Sequence, residues 1–265
     1  MGSFISLLKT PKTQIGFLLT LIFITAFFNN PSLKVALVFV LSVGSTLLFD
    51  LLFLKARGIK PFFPSASLVT GSIIGLLTSP LAIWYIPVTI AAFAVFSKNF
   101  IRFDNRHVFN PAAFGLLVST LIFANPVSWW AVSFQQFSIF NFQFSIPFII
   151  LLSPALVSIV RMKRYRITLS FLFVYILMNT TFNSKFLASP AGGLILNSIT
   201  DPTTLFFTTV MLPEPMTTPN NHKRQIIFGA FVALLAITIS LWNSTALDAF
   251  ILALLIGNAV FFKFR

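Results

Sequence analysis

The chain has no cysteine, two histidines and five acidic residues among its 265. Without cysteine it forms no disulfide and holds no Cys-ligated metal or iron–sulfur cluster. The histidines, His107 and His222, stand far apart in sequence. Neither belongs to a His-Glu-x-x-His motif, so no metal site is expected. No Walker loop and no dinucleotide fingerprint occurs, which leaves ATP hydrolysis and NAD(H) binding without local support. No nucleophile–His–acid constellation is visible either. Charge of any sign is scarce: 9 % of the residues are charged, where soluble domains use about 25 %.

What fills the space is apolar. Hydrophobic residues make up 57 %, Phe alone contributes 35, and the mean hydropathy is +0.94. A surface with so few charges has lipid as its only solvent, so the composition reads as an all-α polytopic membrane protein. The net charge of +13 raises the question of nucleic acid. The Lys and Arg residues, however, cluster at the ends of apolar runs and form no groove-sized patch, so nucleic acid is not an expected partner and the lipid bilayer is.

About ten apolar segments can be marked: 15–28, 33–54, 65–78, 83–96, 109–123, 146–160, 167–182, 191–212, 226–241 and 246–262. A bilayer span needs about 20 residues, which 33–54 supplies and 65–78 does not. With ten crossings and the N-terminus inside, all of the 18 basic residues except Lys34 and Lys185 fall on the inner side. Positive-inside bias predicts this arrangement. The expectation is therefore a single membrane domain over 1–265 in the inner (plasma) membrane, with both termini cytoplasmic. Residues 14–123 form its first half and 146–265 its second. Between them, 124–145 reads as an extracytoplasmic loop whose Trp129, Trp130 and following Phe residues lie on the membrane interface.

The third segments of the two halves look alike. SASLVTGSIIGLLTSP (65–80) and TTLFFTTVMLPEPMTTP (203–219) each combine Ser/Thr, a short apolar run and a terminal Pro. Short or interrupted segments at matching places in two halves suggest an inverted repeat whose broken helices meet near the midplane. Freed backbone groups there need partners. Ser65, Ser67, Thr70 and Ser72, with Thr203, Thr204, Thr208, Thr209, Thr217 and Thr218, are the candidates. Among the acids, Asp50 lies inside the second apolar run, as an ion-path residue or paired with Lys55 or Arg57. Asp201, before Pro202, is an N-cap or a second ion-path residue, and Asp248 caps the last segment. Asp104 is expected to pair with Arg102 or Arg106.

RFDNRHVFNPAAFG (102–115) is a polar knot between two apolar runs. Its FNPAAFG, together with ASLVTGSIIGLLTSP (66–80) and Lys98, resembles the NqrB/RnfD family. These are the membrane subunits B of Na+-translocating NADH:quinone reductase and D of the Rnf electron-transport complex. LFFTTVMLPEPMTTPNNHKRQIIFGAFVALL (205–235) is similar to the family's second-half stretch, with Glu214-Pro215 where Asp-Pro is common. Gly257-Asn258 in the last segment also fits, and the likeness spans about 40–123 and 160–265. It implies a ten-helix electron-transfer subunit in which Ser67, Thr70, Gly71, Lys98, Asn110, Pro111, Glu214, Thr217 and Thr218 surround a flavin.

Family members also carry an FMN on the Thr of a Ser/Thr-Gly-Ala-Thr motif, which this chain lacks. The expected cofactor is thus a noncovalent FMN or riboflavin. Other membrane and cytoplasmic redox subunits are the expected partners, with quinone as a further candidate. The residues also admit a channel or transporter for an ion or small polar solute, and a noncatalytic anchor for a cytoplasmic reductase. Asn110 before Pro111 is equally explained by N-capping alone.

Overall fold

The computed structural model describes residues 10–60, 64–133, 146–182, 201–242 and 247–264. They form helices α1 (Pro11–Asn29), α2 (Leu33–Ala56), α3 (Ser65–Leu77), α4 (Tyr85–Phe100) and α5 (Pro111–Phe123). After a single turn, Trp130–Ser133, come α6 (Ile146–Leu156), α7 (Tyr165–Phe182), α8 (Pro202–Phe206), α9 (His222–Trp242) and α10 (Ala249–Phe261). Each apolar segment expected from the sequence overlaps a helix within its described part. The first ten residues of the eighth segment and residues 134–145 of the aromatic loop lie outside the described residues. Among the described residues three helices, α1, α2 and α9, are long and apolar enough to cross a membrane. Several others, including α3, α4 and α5, are apolar but shorter.

Helix starts follow local rules. Pro11 and Pro111 open α1 and α5, where a missing N–H costs nothing, behind the caps Thr10 and Asn110. Ser32 caps α2, Asp201 caps α8 and Asp248 caps α10. The caps expected at Asp201 and Asp248 are present.

Small residues let the helices close up. Gly71 on α3 lies so near α2 that a Cβ there would stand 2.8 Å from the Val43 Cα. Gly115 on α5 meets the Ile90 carbonyl of α4, and Gly229 on α9 meets α7 at Ile167 and Ser170. In the first half α2 packs on α3 and α4, α4 on α5, and α1 on α3. In the second half α7 packs on α9, α9 on α10, and α6 on α8. The halves meet where α1 touches α6 and where α5 touches α10. Outward faces keep large apolar side chains such as Phe17, Val40, Leu48, Phe173 and Trp242 exposed, a surface that suits hydrocarbon and not water.

Two regions depart from plain helix. The polar knot is a β-hairpin: β1 (Arg102–Phe103) pairs antiparallel with β2 (Arg106–His107). Asp104 (φ 46°) and Asn105 (φ 60°) occupy its two central positions, both in the left-handed region that a two-residue hairpin turn requires. This corrects the expected pairing of Asp104. The turn holds Asp104 exposed, and the Arg102 guanidinium instead donates to the carbonyls of Lys98 and Asn105.

The second departure follows α8, where Phe207–Met211 is a π turn. Pro213 and Pro215 explain its cross-helix bonds, because neither can donate to a carbonyl one turn back. The Leu212 N–H skips to Phe207 O, 2.9 Å away, leaving the Thr208, Thr209 and Met211 carbonyls free. Each accepts from another element: Thr208 from the Thr168 hydroxyl (2.8 Å), Thr209 from the Ser158 hydroxyl (2.5 Å), Met211 from the Asn110 amide (3.2 Å). The same logic repeats on α6, where Pro154 frees the Ile150 carbonyl and the Ser153 hydroxyl takes it at 2.6 Å.

Candidate functional site

Two charged clusters form where the short helices meet their neighbours. The first is closed. Asp50, in α2, is fully buried and accepts from Lys98 Nζ at 3.0 Å on each oxygen. It also accepts from Ser67 Oγ at 2.5 Å and Asn99 Nδ2 at 3.1 Å. Lys98 Nζ donates to Ser67 Oγ as well, at 2.7 Å. Arg57 reaches the cluster only through Asn99, donating to Oδ1 at 3.2 Å. Asp50 therefore pairs with Lys98 and not with Lys55 or Arg57 as the sequence suggested. The reason is direction: a helix places Asp50 on the face turned to α3 and α4. Four hydrogen bonds from three donors around one carboxylate offset much of its desolvation.

The second cluster is half-open. His107 Nε2 lies 3.0 Å from Glu214 Oε1, with side-chain exposures of 7 % and 24 %. The hairpin delivers His107, and the Pro213–Pro215 turn delivers Glu214. The Glu214 carbonyl accepts from the Thr218 hydroxyl at 2.8 Å and from the Thr217 N–H at 3.2 Å.

Beside this pair is a cleft between the halves. The first half contributes Lys12 and Ile15, then Ala66, Val69, Thr70 and Ile73 of α3, then His107, Asn110, Pro111 and Ala112. The second half contributes Ser158, Met162, Val210, Pro213, Glu214 and Pro215. Its walls are mainly apolar, with amide, hydroxyl, imidazole, ammonium and carboxylate groups converging at the edge. The centres of water-sized spheres can occupy about 60 Å³ of it, room for a few waters. The polar edge suits the carbonyl and imide groups of a flavin. The space does not admit three fused rings unless Lys12, Met162 or the α3 side chains move, so no chemical step is derived through such a group.

Of the residues singled out from the sequence, Thr70, Asn110, Pro111 and Glu214 line this cleft together. Ser67 and Lys98 join Asp50 in the closed cluster. Gly71 faces α2, where only a residue without a side chain fits. Thr217 and Thr218 are buried beneath Glu214. Asp201 sits at the other end of α8, accepting from the Thr204 N–H and hydroxyl at 2.7 Å each.

Asn110 has a full set of bonds. Its Oδ1 caps Ala113 N at 3.1 Å, its Nδ2 donates to Met211 O, and its N–H donates to Asn258 Oδ1 at 2.9 Å. Asn258 donates in turn to Thr217 O at 3.3 Å. The N-cap reading of Asn110 holds, and the same side chain ties the two halves together.

Sequence reasoning missed His107, Asn99, Ser158 and Lys12. The signal for His107 was its place two residues beyond an Asp-Asn hairpin turn. For Ser158 nothing local marks it, because its partner lies 51 residues away. Among the described residues no group of three or more His, Cys, Asp or Glu side chains could hold a metal ion.

Residues 133–262, which span α6 to α10, match the family described as the NQR2, RnfD, RnfE family. No curated protein matches the chain.

Proposed function

We propose that this chain is a membrane subunit of an electron-transport system of the NQR2/RnfD/RnfE kind, and that the cleft between its halves, widened by movement of Lys12 and Met162, receives a noncovalent flavin, FMN or riboflavin. The observation that carries this is the family match over 133–262, the stretch that supplies the Ser158, Met162 and Val210–Pro215 wall of the cleft. The opposite wall comes from α3 and the Asn110-Pro111 start of α5, the residues on which the first-half resemblance rests. Thr70 and Glu214 would orient the ring edge, and the apolar wall would exclude water. A bound flavin supplies the one- and two-electron chemistry that these side chains lack.

The topology that goes with this reading has ten crossings, two five-helix halves of opposite orientation and both termini cytoplasmic. It is supported by corresponding contacts in the two halves: α2 with α4 and α7 with α9, α4 with α5 and α9 with α10, and α1 with α3 and α6 with α8. Both third helices are short: α3 has 13 residues, and α8 with its π turn ends at Met211 before Pro213. In this reading the partners are other membrane and cytoplasmic redox subunits, with a quinone as acceptor.

The flavin content of detergent-purified protein, before and after acid precipitation, tests the cofactor. Flavin in the supernatant is the expected result. Flavin in the pellet would mean covalent attachment, and none in either fraction of folded protein would overturn the flavin reading.

A second reading, a channel or transporter for an ion or small polar solute, is favoured by the volume of the cleft, which holds waters more readily than rings. Solute flux into vesicles containing flavin-free protein supports it. Absence of both flux and flavin leaves the anchor for a cytoplasmic reductase.

A further inference from the structure

Among the described residues, the one buried charged atom without a hydrogen-bond partner is Nη1 of Arg106. Its neighbour is a buried cation. Arg164, 8 % exposed, donates to the Pro219 carbonyl and, at 2.8 Å, to Asn220 Oδ1. Both acceptors are neutral. Burial, and then the charge of Arg106, push the Arg164 guanidinium below its ordinary range. The ion pairs among the described residues are Lys98 with Asp50 and His107 with Glu214, so neither arginine faces a carboxylate. Arg106 precedes His107, and Arg164 stands two residues beyond Met162. Both His107 and Met162 line the cleft, as does Lys12. The two guanidinium groups thus stand near this cleft, one on the hairpin and one at the start of α7, while the carboxylate of the cleft, Glu214, is paired with His107.

An unpaired charge held out of water is costly, and two of like sign cost more. An arrangement of this kind is relieved by an anion from outside. The planar fork of arginine matches the oxygens of a phosphate in two-point contacts. We propose that Arg106 and Arg164 form a phosphate-binding site between the hairpin and the start of α7, taking the phosphate of a soluble phosphomonoester or of an anionic lipid headgroup. The site stands on the two arginines and does not depend on a flavin filling the cleft.

The test is thermal unfolding of the full chain in neutral detergent with inorganic phosphate, FMN or riboflavin, chloride being matched throughout. A second arm uses phosphatidylcholine vesicles with or without phosphatidylglycerol. The expected result is a midpoint raised by several degrees at saturating anion in the wild type. Arg106→Gln abolishes that shift, and without anion it unfolds at the wild-type midpoint or above, because an uncompensated charge has gone. Arg106→Lys keeps the charge without the fork and retains a smaller shift. A response to FMN that exceeds the response to riboflavin identifies a soluble phosphomonoester. A response confined to phosphatidylglycerol identifies the lipid. Equal, non-zero shifts with FMN and riboflavin, no shift with any anion or with phosphatidylglycerol, or an anion response that Arg106→Gln leaves intact, would overturn the site.

Discussion

The two charge clusters differ in one respect that orders everything else about them. Around Asp50 every lone pair in reach meets a donor from α3 or α4, and the carboxylate is closed to solvent (1 % exposed). Around Glu214 one oxygen meets His107, the other has only a Thr217 hydroxyl at 3.5 Å, and the side chain lines a cleft. A saturated buried pair has no capacity left for a ligand and specifies how three helices meet. A half-satisfied pair at a cleft keeps capacity for one. The comparison assigns architecture to the first cluster and recognition to the second.

The sharpest way to break that contrast is to remove one member of the closed pair. Asp50→Asn or Lys98→Met should lower stability by about 3–5 kcal/mol, because the other charge stays buried and unpaired. The double variant Asp50→Leu/Lys98→Met should recover much of the loss. Thermal unfolding in detergent measures both, and single variants as stable as wild type would contradict the structural assignment.

Asn110→Ala should come next. It removes an N-cap worth about 1 kcal/mol and leaves the Met211 carbonyl unsatisfied at a further cost of about 1–3 kcal/mol. Asn110→Asp keeps the cap and should restore only that part. Activity falling further than folded yield in Asn110→Ala would add a ligand role to the structural one.

Ser158→Ala and Thr168→Val each orphan one carbonyl of the π turn. Each should cost about 1–3 kcal/mol on the same scale, leaving Glu214 in place.

Glu214→Gln tests the open cluster. A partly exposed pair is worth about 0–1 kcal/mol, so folded yield should hold while ligand binding in the cleft, read as retained flavin or as flux, declines. Destabilisation equal to that of Asp50→Asn would erase the distinction between the clusters. The smallest effect is expected at the hairpin tip. Asp104→Gly should change stability by no more than about 0.5 kcal/mol, since the residue is exposed and already in a conformation that glycine adopts freely.

Helix positions were legible because lipid solvent demands continuous apolar runs, and the runs 33–54 and 226–241 each lie inside one long helix. Caps were legible for the same local reason: Asn110, Asp201 and Asp248 need only their own next turn. The hairpin was not foreseen, although Asp104-Asn105 carries a turn signal, because two-residue strands show no periodicity. His107 looked idle when judged by metal and protease motifs, which describe chemistry along one helix. Its partner Glu214 is 107 residues away. Gly71 read as part of a ligand motif, and the fold gives it a packing contact with α2; close helix approach and close ligand approach ask for the same residue.

What the sequence determined by itself was the solvent class, the helices and their caps, since each depends on hydropathy or on bonds within one turn. It also held the reason the Thr209 and Met211 carbonyls are free, because Pro213 and Pro215 carry no N–H wherever they stand. Which groups answer the freed carbonyls, and that Asp50 closes on Lys98 while Glu214 opens on a cleft, only the tertiary structure decided. Those outcomes depend on which helix faces lie opposite one another, and packing across 40 to 150 residues sets that geometry.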